Sequence, residues 1–420
     1  TSNAGSIQYP YADLSSIIAE EALQYQRQIM MVNVGAQPQP DQSFLSDDPS
    51  IKSAIPTINS DIINNDHALL TRRGFKMGDV PNQDRSFIAN FPLGVNKGQS
   101  ATDKAIAQKE QTQQIALLMG IFDGHGPKGH SVSHHITINL PSVFASIMRE
   151  KQKSQAQPIL GSLANPKEEQ HTVNYIRQSL IETFIRVDEN EPVKGTAGST
   201  ASVLFYPGIG SKVYIANTGD STTLVVRYHK PTRSSTIVFQ NRKHKPHLPG
   251  ERQRIEKAGG QVMIPPSLMQ GGGGGNNAIQ ETSRVIIPDA TGNPLGGLAL
   301  AMSRSIGDFD GKSVGLIAEP DVEVWDVNAH YREYPEQKED VEWFAVIASD
   351  GLYDVLTPDR VVEYLSWSLY HDQHSSNIPP LVACERLIRE ASRLWMKLSL
   401  GVVYRDDITV GVSKIKFASI

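Results

Sequence analysis

This chain of 420 residues has a single cysteine. No intrachain disulfide and no cysteine-based zinc site can form from one thiol. Cys384 lies in Leu381-Val-Ala-Cys-Glu-Arg-Leu-Ile, which has the spacing of an amphipathic helix, so it reads as a small core residue. The composition suits a reducing compartment. Long apolar runs are missing too, and the N-terminus has no signal-peptide pattern, so neither a membrane span nor export is expected. Cytoplasmic or nuclear residence is the default. The net charge of -5 is small, and no basic stripe with interleaved aromatics runs through the chain, which argues against a nucleic-acid partner. What is present is an apolar content of 39% with 20% charged residues, enough for a sizeable core.

The opening Thr1-Ser-Asn-Ala reads as a cloning remnant, so the native start is expected to be missing. Residues 1–66 read as an arm. One helix is expected in it around Asp13-Leu-Ser-Ser-Ile-Ile, and a stretch rich in Gln, Pro, Asp and Ser follows. The domain proper is placed at 67–420. Strands are expected at Ala68–Phe75, from Ser86, and at Ile115–Phe122. A helix over 130–153 should break or kink at Pro141. A loop over 154–170 then leads to a second helix at 173–187. Short strands follow near 201–206, 211–216, 222–227 and 235–240, joined by Gly and Asp turns as in antiparallel sheet. Gln253–Gly260 reads as a short helix with a glycine stop. Gly271 to Gly275 lack the Lys and Ser or Thr of a phosphate cradle and read as a mobile loop. An apolar stretch at 298–306, a strand at 343–348, helices at 358–371 and 379–400, and a strand at 408–415 complete the chain. Strands, two helices, strands, two helices and a strand make an α+β domain in which sheet packs on sheet with flanking helices.

The chemistry concentrates where apolar segments end. Ile115-Ala-Leu-Leu-Met-Gly-Ile-Phe reads as a strand buried on both faces, and it stops in Asp123-Gly-His-Gly126. Four other segments deliver an aspartate at a strand end or turn: Asn82-Gln-Asp84, Gly307-Asp308, Ser349-Asp350-Gly351 and Arg405-Asp406-Asp407. Carboxylates gathered without a cation repel one another. A cluster of Asp84, Asp123, Asp308, Asp350 and Asp406 therefore implies divalent metal, and all-oxygen ligation suits Mg²⁺ or Mn²⁺ over Zn²⁺. Two ions bridged by Asp123 would activate a water, with phosphate esters the first candidate substrate. His125 is the candidate general acid. Arg72, Arg73 and Lys76 precede the first aspartate motif and are candidates to grip a phosphate.

These motifs together resemble the metal-dependent Ser/Thr protein phosphatases of the type 2C family, from about Arg72 to Ile415. The likeness rests on Pro81-Asn-Gln-Asp84, Phe122-Asp-Gly-His-Gly126, Gly198-Ser-Thr-Ala201, Ala216-Asn-Thr-Gly-Asp-Ser221 and His244-Lys-Pro246. It continues in Arg254-Ile-Glu-Lys-Ala-Gly-Gly260, Leu300-Ala-Met-Ser-Arg-Ser-Ile-Gly-Asp308, Ser349-Asp-Gly-Leu-Tyr-Asp354 and Asp406-Asp-Ile-Thr409. The resemblance implies a central antiparallel β-sandwich flanked by helices on both faces, a four-layer α-β-β-α arrangement. It implies two Mn²⁺ or Mg²⁺ ions at one edge of the sandwich. Asp123 would bridge them, Gly124 would give its carbonyl, and Asp308, Asp350 and Asp406 would complete the shells. Asp84 would hold water in the metal shell, His125 would act as the acid and Arg73 would bind the phosphate. Residues 262–297 fall where the family has its variable flap. The expected partner is a phosphoprotein substrate, and a monomer is expected. Four positions depart from the family pattern: Gln83 for a frequent Glu, Asp407 for a frequent Asn, no Arg after Asp220-Ser221, and Lys243 where an Asp usually serves a third, weaker metal. The third ion is thereby in doubt, and a catalytically weak or inactive scaffold acting through partner binding is the alternative.

Overall fold

Strand β3, Ile115–Phe122, shows how the layers arise. Its side chains alternate between two cores, as a pleated strand requires. Leu117, Met119 and Ile121 face other strands, whereas Ala116, Leu118 and Phe122 join a cluster with helix residues Ile136, Leu140, Ile176 and Phe184. Both faces are apolar because both are covered. The computed structural model describes residues 66–76, 80–92, 115–153, 166–266, 282–288, 298–371, 379–398 and 404–417. The expected N-terminal arm and its helix, the Gly271–Gly275 loop and most of the flap lie outside these residues.

In chain order the strands are β1 (His67–Arg72), β2 (Arg85–Pro92), β3, β4 (Gly124–His125), β5 (Gly198–Ser199), β6 (Ala201–Tyr206), β7 (Lys212–Thr218), β8 (Thr222–His229) and β9 (Ser234–Gln240). They continue with β10 (Gln261–Met263), β11 (Arg284–Ile287), β12 (Leu298–Leu300), β13 (Ile306–Gly307), β14 (Asp321–Asp326), β15 (Val341–Ala348) and β16 (Ile408–Lys414). The helices are α1 (Gly129–Lys153), α2 (Pro166–Glu189), α3 (Pro249–Lys257), α4 (Phe309–Lys312), α5 (Val327–Glu333), α6 (Asp350–Tyr353), α7 (Pro358–Ser366) and α8 (Pro380–Leu398).

Two five-stranded antiparallel sheets, in the orders β1-β16-β15-β8-β9 and β14-β7-β6-β3-β2, form the sandwich. Leu117, Leu204 and Ile215 of one sheet pack against Val225, Trp343 and Ala345 of the other. Helices α1 and α2 cover the outer face of the β3 sheet, and α7 and α8 cover the β16 sheet. The α-β-β-α order expected from the sequence is thus the one observed. The first and last strands, β1 and β16, are paired from His67–Ser413 to Arg72–Ile408. Two short sheets, β13-β5-β4 and β10-β11-β12, complete the described fold.

Some details differ from the reading of the sequence. Helix α1 runs through Pro141 without a break. Leu140 and Phe144, on either side of the proline, are anchored in the core, and that packing outweighs one lost backbone bond. Helix α2 starts at Pro166 rather than near 173, with proline in the first turn, where its missing N–H is harmless. Within the flap region, Arg284–Ile287 is a strand whose Val285 and Ile287 pack on Ile255 of α3. The edge strand β14 and helix α5 fall where no element was expected. No helix among the described residues is long and apolar enough to cross a membrane.

Candidate active site

The register of the strands brings the aspartates to one edge. Arg85, the first residue of β2, pairs with Phe122, the last of β3, so Asp84 and Asp123 leave the sheet side by side. Ala348, at the end of β15, pairs with Val410 near the start of β16 and with Thr222 at the start of β8. Asp350, Asp406 and Asp220 therefore leave the other sheet at the same end.

The contacts explain the motifs around them. Asp84 is buried, with 1% exposure, and its Oδ2 takes hydroxyls from Ser349 at 2.8 Å and Thr409 at 2.7 Å. The serine before Asp350 and the threonine after Asp407 thus serve Asp84. Burial, and then the charge of Asp407, push the Asp84 carboxyl up to about 7, against the pull of those two hydroxyls. Asp123 and Asp350 are raised well above the usual carboxylate range, by burial first and then by neighbouring aspartates. Thr200 fixes Asp123 from both sides: its hydroxyl accepts from the Asp123 N–H at 3.1 Å, and its N–H donates to the Asp123 carbonyl at 2.9 Å.

The small sheet brings together His125 and Asp308. Gly198 of β5 pairs with His125 on one side and with Gly307 on the other. His125 Nε2 lies 2.6 Å from Asp308 Oδ2, which also accepts from Ser305 Oγ at 2.6 Å. A Cβ at Gly198 would overlap that carboxylate and sit 2.7 Å from His125 Nε2. Burial opposes a charged imidazole, but the Asp308 carboxylate outweighs it and His125 is raised. Gly124 is similarly confined, because a Cβ there would stand 2.7 Å from the Gln83 carbonyl.

The basic residues before Asp84 separate. Arg72 Nη1 donates to Ser392 Oγ of α8 at 3.1 Å, whereas Lys76 Nζ reaches Asp406 Oδ1 at 2.8 Å and Asp407 Oδ2 at 3.0 Å. The carbonyl of Arg73 accepts from Arg405 Nη2 at 2.6 Å. Asp407 binds the Gly74 N–H at 2.6 Å and the Gln83 N–H at 2.9 Å, so it joins the first motif to the last.

With this geometry in hand, comparison with known proteins decides the family. The family model described as protein phosphatase 2C matches residues 104–394, more than half of the chain. The chain belongs to the protein phosphatase 2C family. Its enzyme class is therefore protein serine/threonine phosphatase. "Probable protein phosphatase 2C 41" of Arabidopsis thaliana is 26% identical over 347 residues, covering 81% of this chain and 85% of the relative. "Probable protein phosphatase 2C 1" of the same plant is 28% identical over 370 residues, covering 81% and 71%. The crystal structure of the serine-threonine phosphatase 2C from Toxoplasma gondii superposes with a TM-score of 0.57 at 18% identity, covering 83% of this chain and 94% of that one, a likeness of fold.

Phosphatases of this family depend on metal, and the donor set of this chain fits a hard cation. Asp84 Oδ1, Asp220 Oδ1, Asp308 Oδ1 and Asp350 Oδ1 are buried with no hydrogen-bond partner. Such oxygens are costly unless something claims them. Among the described residues no three His, Cys, Asp or Glu side chains close tightly enough to enclose an ion on their own.

Asp220 is the site residue the sequence reading left without a role. It is 1% exposed, and its Oδ2 accepts from Lys245 Nζ at 2.5 Å. Burial would raise its carboxyl, but Lys245, Lys243 and His125 together hold it below the ordinary value. Lys243 also lies 5.5 Å from the Tyr353 ring. The signal for Asp220 was in the Thr-Gly-Asp-Ser motif, yet only the fold brings Lys245 to it. Gly198 and Thr200 were likewise quoted as motif residues without a task.

Proposed function

We propose that this phosphatase hydrolyses phosphoserine and phosphothreonine in proteins with two Mn²⁺ or Mg²⁺ ions. Asp123, the Gly124 carbonyl, Asp308, Asp350 and Asp406 would hold them. The observation that carries this reading is the set of buried carboxylate oxygens without partners at Asp84, Asp308 and Asp350. When bound, the ions supply Lewis acidity and a nucleophilic water at neutral pH.

The remaining work belongs to side chains. Asp84, held by Ser349 and Thr409, orients the attacking water. His125 gives its proton to the departing seryl or threonyl oxygen, and the Asp308 carboxylate favours the protonated imidazole that does so. Arg73, beside the clamped Gly74, is the arginine assigned to the phosphate. We assign no third ion, because the Lys243 and Lys245 ammoniums already answer the charge of Asp220.

Phosphate release from a phosphothreonine peptide tests the reading, with Mn²⁺, with Mg²⁺ and with chelator, beside Asp123→Ala. Metal-dependent release that vanishes in the variant is expected. A folded protein that releases no phosphate with either ion would sink it. It would favour the alternative, a scaffold that acts through partner binding and in which Lys243 has displaced function along with the third metal.

A further inference from the structure

Acidic clusters built for metal must also survive without it, and mutual repulsion opposes that. One ammonium is built into this cluster. Lys76 Nζ lies 2.8 Å from Asp406 Oδ1 and 3.0 Å from Asp407 Oδ2, with its side chain 19% exposed. Its backbone is clamped to the partner segment. Two backbone bonds hold it: the Phe75 N–H donates to the Arg405 carbonyl at 2.8 Å and the Arg405 N–H to the Phe75 carbonyl at 3.0 Å. The Arg405 guanidinium covers the Phe75 ring at 4.3 Å, and the Gly74 N–H donates to Asp407 Oδ1 at 2.6 Å.

Asp406 differs from Asp84, Asp308 and Asp350 in one respect. Asp84, Asp308 and Asp350 each keep a buried oxygen without a partner. Both oxygens of Asp406 are engaged: Oδ1 by Lys76 at 2.8 Å and the Asp407 N–H at 2.8 Å, and Oδ2 by the Tyr404 hydroxyl at 3.3 Å. A cation that takes Asp406 meets the Lys76 ammonium on the same carboxylate, and of these contacts Lys76 is the one that carries like charge.

We infer that Lys76 is a resident counter-ion of the metal site, an ammonium that stabilises the carboxylate cluster in the metal-free chain and competes with the divalent ion for Asp406. The inference rests on the assignment of Asp406 as a metal ligand. It makes Lys76 a device that weakens metal affinity in exchange for a site that stays folded between metal-binding events. The coupling is reciprocal: whatever the ammonium adds to the metal-free state is subtracted from the observed affinity for the ion.

The test is calorimetric titration of Mn²⁺ into the chelator-stripped full chain, beside thermal unfolding in chelator and in Mn²⁺. Lys76→Met removes the charge and keeps the stem. It is expected to bind Mn²⁺ at least about tenfold more tightly than wild type, to unfold at a lower temperature in chelator, and to gain more from Mn²⁺. A Lys76→Met chain that folds only with Mn²⁺ present supports the inference equally. Lys76→Arg keeps the charge and should stay within about threefold of wild-type affinity. Wild-type binding of Mn²⁺ with Lys76→Met no tighter, and equal losses of stability with and without Mn²⁺, would overturn the inference alone. Should Lys76→Met fail to fold in both conditions, Lys76→Gln is read by the same two criteria. A wild type that binds no Mn²⁺ would overturn the two-ion reading itself, and Asp406→Asn with unchanged Mn²⁺ affinity would remove only the ligand role of Asp406.

Discussion

His125 Nε2 sits 2.6 Å from Asp308 Oδ2 across a glycine, Gly198, that has no side chain to stand between them. Two residues 183 positions apart become one acid–base pair because the short strands β4, β5 and β13 lie edge to edge. A methyl group at residue 198 would overlap the Asp308 carboxylate. Gly198→Ala is therefore expected to lower kcat by about a hundredfold, the scale of a lost general acid, with far-UV circular dichroism unchanged. Wild-type kcat in this variant would mean that the contact is dispensable.

Asp407 accepts from the buried Gly74 and Gln83 N–H groups and from Lys76. Asp407→Ala leaves the backbone donors without partners and should cost about 3 kcal/mol in urea unfolding. Asp407→Asn keeps one accepting oxygen and turns an NH2 towards the remaining donors, so it should recover only part of that loss.

Glu251 of α3 is 2% exposed and is gripped by Arg304, Ser303 and Arg254. Burial would raise its carboxyl, but these partners bring it down to about 2 from an ordinary 4.5. A depressed acid contributes stability that is fully present above pH 4.5 and lost as pH falls through 2. The stability gap between wild type and Glu251→Gln should therefore shrink between pH 5 and pH 2, by up to about 3 kcal/mol. A gap that does not change with pH would show that the charge of Glu251 contributes nothing.

Asp84 has the opposite sign. Its carboxyl is pushed up to about 7 from 3.8 by burial and by Asp407, so the folded state holds a proton that the unfolded chain has released between those values. In chelator this group costs stability as pH rises from 4 towards 7 and beyond. Asp84→Asn is expected to unfold at a higher temperature than wild type at pH 8 in chelator, while losing phosphatase activity. A lower midpoint would refute the assigned strain.

The sequence by itself determined the class of the fold and the kind of chemistry. Apolar runs and their abrupt ends at aspartate are local facts, and they marked β3, β15 and β16 and the aspartates beside them. The nine ordered motifs carried the family. Elements too short for a period, such as β4, β5 and β13, left no such mark, nor did the edge strand β14. Pro141 in α1 misled because local propensity gave way to packing of Leu140 and Phe144. Only the tertiary structure decided which polar groups meet. Strand register sets Asp84 under Ser349 and Thr409, turns Asp220 towards Lys245, and parts Arg72 from Lys76 although only three residues lie between them. Hydrogen bonds and charge pairs act over a few ångströms between segments hundreds of residues apart, and no reading of neighbours along the chain contains those distances.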